Sequence, residues 1–279
     1  MEGRPISDDT ELVGGQLLHR VEDGICWIRL NRPDVANALT PEQRNVVIDL
    51  LAQADQDPAV RVVVLGAVGR HFCGGADLRV DRAEPAGGDD RPSPGMVMKM
   101  LAYGVHRLLA AIMDCQKPVV ASVNGTAAGI GVQLALASDL VVMAEEASFL
   151  EVFVSRGIVP DGGAAYLLAR VVGLQRAKEL MMLGDRIGAQ KAREYGMATV
   201  VVPRAELEAA TLELATRLAS GPTVALGLMK RLVNRSLDVD RTTALFEEAA
   251  AQEVTMTSRD AQEGVASFVE GRPTRFEGR

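Results

Sequence analysis

Two glycine-rich turns hold the residues with the most chemical potential. In VNGTAAGIGVQLALASDL (123–140) an apolar strand, PVVASV (118–123), runs into Gly125, Gly129 and Gly131, which open directly into an apolar helix. A tight turn at a helix N-terminus presents unpaired N–H groups and the positive end of the helix dipole, and both favour negative charge. Yet the turn has no lysine, no Ser or Thr placed for a magnesium, and no charge before Asp139. The GxxxxGK[ST] phosphate loop is absent. GxGxxG begins at Gly129-Ile130-Gly131 but meets Leu134 at its third glycine, with no acidic residue at the ribose-binding distance. Phosphate is a poor guest here. A partial or transient anion, such as a polarised carbonyl oxygen, suits the turn better. HFCGGADL (71–78) is a second glycine turn after a buried strand, also without a phosphate signature. An oxyanion hole takes two donors from separate segments, and two such turns could converge at the carboxyl ends of neighbouring strands. The alternative is that both are tight turns and nothing more.

The elements that must position these turns follow from pattern. Residues 1–15 are polar and are expected to form a loose tail. QLLHRVEDGICWIRL reads as two strands joined by a hairpin turn at Glu22-Asp23-Gly24. Thr40-Pro41-Glu42-Gln43 reads as a helix start, with Thr40 as cap, Pro41 at the first helical position and Gln43 closing a capping box. VRVVVLGAV (60–68) is a buried strand, and 83–95 (AEPAGGDDRPSPG) is a long polar segment, either flap or binding loop. Apolar residues at Met98, Leu101, Val105, Leu108 and Ile112 predict one helix over 96–114. LVVMA (140–144) is the next strand. Strand, loop and helix repeated with short connections indicate an α/β core with parallel strands. After Asp161 helices are expected over 162–172, 174–183, 188–196, 204–220, 222–236 and 240–270, interrupted only by VVVP (200–203). The apolar positions on so many helices predict a subunit interface.

Composition narrows the function. The chain has 279 residues, is 48% hydrophobic and carries a net charge of −7. That charge gives no general attraction to nucleic acid or anionic membrane. Cys26, Cys73 and Cys115 are far apart in sequence, suiting a reducing cytoplasm, and no metal-ligating cluster is evident. Neither a signal peptide nor a membrane-spanning run is expected, so the chain reads as a cytoplasmic protein.

LNRPDVANALT, HFCGGADLR, KPVVASVNGTAAGIGVQLALASDL, GIVPDGG and EGVASFVEGRPTRF together resemble the crotonase (enoyl-CoA hydratase/isomerase) superfamily, in the family's order over roughly residues 16–276. The resemblance implies a spiral of ββα units over 16–203 and a C-terminal helical region over 204–279 that mediates trimerisation, often as a dimer of trimers. It implies acyl-CoA thioester substrates of fatty-acid or aromatic-acid metabolism. Coenzyme A would enter as part of the substrate, with no separate cofactor. It also implies that the backbone N–H groups of Ala76 and Ile130 hold the thioester oxygen. An uncharged turn suits an anion that must form and dissipate within one turnover.

Family hydratases carry two glutamates that handle water; here Gln133 and Phe153 stand in their places, so the usual two-carboxylate hydration could not run unchanged, and hydratase-like lyase chemistry is kept as an alternative. Asp161, in VPDGG, matches the sole acid/base of phenylacetate-type enoyl-CoA isomerases. A lone carboxylate fits double-bond migration, removing a proton from C2 or C4 and returning it to the other carbon. Its alternative role is to cap a helix starting at Gly162. In the similar aryl-CoA dehalogenase branch the aspartate is a nucleophile, and His106 falls where that branch has a histidine; an ordinary helix-surface histidine is the plainer reading. A silent acyl-CoA binder is a further alternative. Arg32, Ala38, Gly74, Asp77, Leu78 and Arg272 fall where relatives contact coenzyme A. Cys73 reads as packing.

Overall fold

The computed structural model describes residues 9–79 and 94–279, so the segment 83–95, apart from Pro94 and Gly95, lies outside the described residues. The strands are β1 (Thr10–Leu12), β2 (Leu17–Glu22), β3 (Ile25–Leu30), β4 (Val62–Ala67), β5 (His71–Cys73), β6 (Val119–Val123), β7 (Thr126–Ala128), β8 (Leu140–Ala144), β9 (Ser148–Leu150), β10 (Ile187–Gly188) and β11 (Val200–Val202). They form a seven-stranded sheet ordered β1-β2-β3-β4-β6-β8-β11 and a four-stranded sheet ordered β10-β9-β7-β5. From β3 onward the large sheet is parallel. Three consecutive strand pairs, β4/β5, β6/β7 and β8/β9, each place their first strand in the large sheet and their second in the small one. That repeated step from sheet to sheet is the spiral.

The hairpin between β2 and β3 turns at Asp23 and Gly24, both at positive φ (51° and 78°), the conformation its tight turn requires. Strands β4 and β6 are continuous apolar runs because both of their faces are covered. Helix α1 (Pro41–Gln56) starts at the expected capping box: Gln43 N–H donates to Thr40 Oγ1 at 3.2 Å, and Thr40 N–H donates to Gln43 Oε1 at 3.1 Å.

Several boundaries differ from expectation. The 1–15 tail does not extend to residue 15, since Thr10–Leu12 pairs with β2 at the sheet edge. The helix expected over 96–114 is two, α2 (Met96–Tyr103) and α3 (Val105–Asp114), broken at Gly104. As one stretch, Met96–Asp114 is long and apolar enough to cross a membrane by length and composition. The break, and the burial of Leu108, Leu109 and Ile112 in the core, instead make α3 a wall of the fold. Helix α4 is Ile130–Ala137. Helix α5 (Ala164–Val172) starts two residues later than predicted, because two successive glycines at positive φ cannot continue a helix. Helices α6 (Leu174–Leu183) and α7 (Ala189–Glu194) flank β10, a strand whose two residues are too few to show a sequence pattern. Then follow α8 (Leu207–Ala219) and α9 (Thr223–Arg235). The span 240–270 is α10 (Arg241–Met256) and α11 (Arg259–Glu270), divided where the Ser258 side chain caps α11.

Candidate active site

The two glycine turns meet because the small sheet sets β5 beside β7. A Cβ at Gly131 would stand 2.2 Å from the Cys73 carbonyl oxygen, so only glycine lets the first turn of α4 lie against the turn after β5. The 71–78 turn is held from its other side by Leu39, whose N–H donates to Gly75 C=O at 2.8 Å and whose C=O accepts from Asp77 N–H at 3.0 Å. Peptide N–H groups alternate sides along an extended segment. The N–H of Ala76, between those two bonds, therefore faces away from Leu39. Ile130 is the first residue of α4, so its N–H has no intrahelical acceptor. Among the described residues neither amide has a hydrogen-bond partner.

Ala76 and Ile130 line one cavity of about 400 Å³ together with Asp161 and Leu78; Leu39, Arg44, Met100, Leu101 and Val105 supply most of its remaining wall. Larger clefts of about 580 and 480 Å³ lie along α9, and none of Ala76, Ile130 or Asp161 lines either.

Asp161 arrives on a turn built for close approach. Gly162 is at φ +58°, and a Cβ there would stand 2.9 Å from Ile130 Cδ1. The capping alternative fails: the cap of α5 is Gly163, with no side-chain hydrogen bond, and Ala164 N–H donates at 3.1 Å to the Asp161 main-chain carbonyl. The carboxylate is left at the cavity. Desolvation by burial raises its pKa above the ordinary value, with the charge of His106 opposing.

Gln133, Phe153 and His106 do not line the cavity. Gln133 is fully buried and its Nε2 donates to Glu151 Oε1 at 2.8 Å. Phe153 is buried with its ring against Gly129. His106 is exposed on α3 and reaches Asp161 through its charge alone. Of the set expected at coenzyme A, only Leu78 lines the cavity. Gly74 N–H donates to Ala36 C=O at 2.8 Å, bracing the two loops. Arg32 is already engaged: its Nη1 donates to Ala38 C=O at 2.7 Å and to Asp77 Oδ2 at 2.9 Å. Burial is the largest single influence on the pKa of Asp77 and raises it, but the hydrogen bonds and charges of Arg32 and Arg79 together outweigh it, and the net displacement is downward. Arg272 forks onto both oxygens of Glu263 and also meets Glu270. Cys73 is buried with its thiol pushed up to about 11, consistent with packing.

Three residues escaped the sequence reading. Glu151 is a buried carboxyl, and nothing in FLEVF marks it as such. Arg44 is a single cation in a mostly apolar wall, and on the first turns of a helix it reads as surface. Asn37 was legible: it sits at φ 53°, a conformation asparagine tolerates, and its side chain accepts from Arg32 N–H and donates to Val68 and His71 carbonyls.

Residues 20–279 match the enoyl-CoA hydratase/isomerase family. The chain is 35% identical over 263 residues to the 1,2-epoxyphenylacetyl-CoA isomerase of Escherichia coli, covering 94% of this chain and 98% of that protein. It is 32% identical over 211 residues to 4-chlorobenzoyl coenzyme A dehalogenase-2 of Arthrobacter, covering 76% of this chain and 75% of that one. The crystal structure of an enoyl-CoA hydratase/isomerase from Cupriavidus metallidurans superposes with a TM-score of 0.86 at 32% identity, over 94% of this chain and 96% of that one. The fold is the crotonase fold, and the chain is an enzyme belonging to the enoyl-CoA hydratase/isomerase family, which acts on acyl-CoA thioesters.

Proposed function

We propose that the enzyme shifts a double bond along an enoyl-CoA, with Asp161 as sole acid/base and the Ala76 and Ile130 N–H groups holding the enolate oxygen. The observation that carries this reading is the shared cavity: two unpartnered amides and one uncommitted carboxylate line the same 400 Å³ space. Asp161 takes the proton from C2 of a 3-enoyl thioester, charge moves onto the thioester oxygen, and the same carboxyl returns the proton to C4. Two donors placed where that charge develops stabilise the intermediate without trapping it. The raised pKa of Asp161 makes it a better base once ionised. Neither Gln133 nor Phe153 can act as a general acid or base near neutrality, which supports isomerisation over two-carboxylate hydration. The test is incubation with a 3-enoyl-CoA in deuterated water. The 2-enoyl product should appear, with deuterium entering only as far as the carboxyl exchanges with solvent before it returns the proton, and Asp161→Ala should abolish it; equal turnover by the variant rejects the mechanism.

A second reading is supported by the charge of His106 acting on Asp161. In an aryl-CoA dehalogenase-like route Asp161 would attack the halogen-bearing ring carbon and expel halide, and His106 would activate the water that hydrolyses the ester, freeing the hydroxyaryl product and the carboxylate. Mass spectrometry of the quenched enzyme separates the two, because only this route leaves a covalent aspartyl ester.

Coenzyme A phosphates would have to displace carboxylates already paired with Arg32 and Arg272. Phe246 on α10 is 74% exposed and Phe268 on α11 is 87% exposed. We propose that copies of the chain cover these helices, as a trimer or a dimer of trimers. Sedimentation of a monomer at micromolar concentration would reject this.

A further inference from the structure

Glu151 does not line the cavity; it is 3% exposed, immediately after β9. Its one side-chain bond, from Gln133 Nε2, leaves Glu151 Oε2 and Gln133 Oε1 buried with no donor among the described residues. An ionised carboxylate there would be a buried charge with one oxygen unpartnered, bonded to an amide whose own oxygen is also unpartnered, an unfavourable arrangement. One proton resolves both deficits. A carboxylic acid donates as well as accepts, so Oε2–H can bond to Gln133 Oε1 while Gln133 Nε2–H bonds to Oε1. Acid and amide then close a ring of two hydrogen bonds.

The pair is tied to both halves of the site. Gln133 lies one turn along α4 from Ile130. Gly129 N–H donates at 3.0 Å to the carbonyl of Leu150, the neighbour of Glu151. A Cβ at Gly162 would stand 3.9 Å from Gln133 Cγ, so the stem of Gln133 lies under the Asp161 turn.

We propose that Glu151 is a positioning residue that works in its protonated form, gripping Gln133 through two hydrogen bonds and so fixing the Ile130 amide relative to the Asp161 carboxylate. Burial agrees, pushing its carboxyl up to about 7; the hydrogen bond from Gln133 pulls it down and the charge of Asp161 pushes it further up. Among the described groups Asp161 is the one charge that acts on Glu151, and His106 is the one that acts on Asp161. Asp161 ionises first, so the coupling falls on Glu151. Once Glu151 ionises, one of the two bonds is lost and a second negative charge faces the base.

The kinetic part of this inference rests on the isomerase reading; the protonation part does not. The test uses the full-length enzyme and Glu151→Gln, in which two amides form the same pair of bonds with no titratable proton. Infrared spectra of the wild type should show a protonated-carboxyl band that fades as pH rises through neutrality, and the variant should lack it. In assays with a 3-enoyl-CoA, wild-type kcat/KM should fall to about a tenth between pH 6 and pH 9. The variant should keep wild-type activity at pH 6 and show no such fall. Glu151→Ala, which leaves Gln133 unpartnered, should be slow at every pH. Superimposable pH profiles for wild type and Glu151→Gln would overturn the positioning role. Absence of the band in the wild type would overturn the protonated pair. If no enoyl-CoA is isomerised, the isomerase reading fails while the infrared result still decides the state of Glu151.

Discussion

Two carboxyl groups are tied to the first turn of α4, and their surroundings differ sharply. Asp161 is half-buried at the cavity, on a turn of two glycines, with no hydrogen-bond partner for its carboxylate among the described residues. Glu151 is 3% exposed, bonded to an amide and not among the residues that line the cavity. Burial raises both pKa values, but the deeper group also feels the charge of the shallower one. Asp161 therefore gives up its proton first and Glu151 keeps its own toward neutrality. In the proposed reaction one group would move a proton and the other hold one, a division set by desolvation and order of titration.

The comparison breaks most visibly at Asp161. Replacing it with Asn keeps the shape and removes the base, so isomerisation should fall about 10²–10⁴-fold. Acyl-CoA binding, followed by calorimetry, should change far less. A comparable loss in Glu151→Gln would erase the distinction between the two groups. Next in size is Gly131→Ala. Its Cβ would be driven into the Cys73 carbonyl, so the first turn of α4 must shift and take the Ile130 amide with it. Losing one aligned oxyanion donor should reduce kcat by roughly 10²–10³-fold, with both carboxyls still present. Steady-state kinetics that show only a raised KM would place Ile130 outside the hole.

A third effect concerns stability. An acid with a raised folded pKa binds its proton more tightly in the native state. Its stabilising contribution is complete below the unfolded value of 4.5 and is lost as pH rises through about 7. Glu151→Gln has nothing to lose over that range. Wild type and variant should be similarly stable near pH 4.5, and above pH 7 the variant should be favoured by about 3 kcal/mol, from the size of the shift. Thermal melts across pH read this directly, at about 2–4 °C per kcal/mol for a chain of this size class. A constant difference at all pH values would mean that Glu151 is already ionised in the native protein.

The contrast between the two carboxyls also explains what the sequence could and could not disclose. Asp161 sits in a turn whose glycines are local signals, and the two glycine turns announce themselves in the same way: glycines directly after a strand, opening at Gly129 into an apolar helix. The hairpin at Asp23-Gly24 and the Thr40 capping box are equally local. Glu151 depends on a contact with Gln133 eighteen positions away, and no spacing rule connects a strand end to a helix turn packed against it. The same limit hid the pairing of Arg32 with Asp77, forty-five positions apart, and made Arg32 look free for phosphate. Helix breaks at Gly104 and Ser258 were missed for a different reason. At Gly104 an apolar stripe continues across the break and only the packing of α3 shows where the axis turns, while at Ser258 the break is marked by the side-chain cap of α11.

His106 supplies the smallest effect and the finest test of the comparison. It is exposed on α3 beside Val105, which lines the cavity, and its positive charge lowers the pKa of Asp161 against the raising effect of burial. His106→Gln removes that opposition, so the Asp161 pKa should move further up. The base must be ionised to act, so the acid limb of kcat/KM should shift to higher pH. The variant should be slower than wild type on that limb and equal to it once both enzymes are fully ionised. The deficit should stay well short of the ~10²-fold that accompanies loss of a general base. If His106 instead activates water against an aspartyl ester, the loss would persist at every pH and the ester would accumulate. A rate deficit that vanishes as pH rises leaves His106 as a charge near the base, and leaves Asp161 as the only group that carries the proton between carbons.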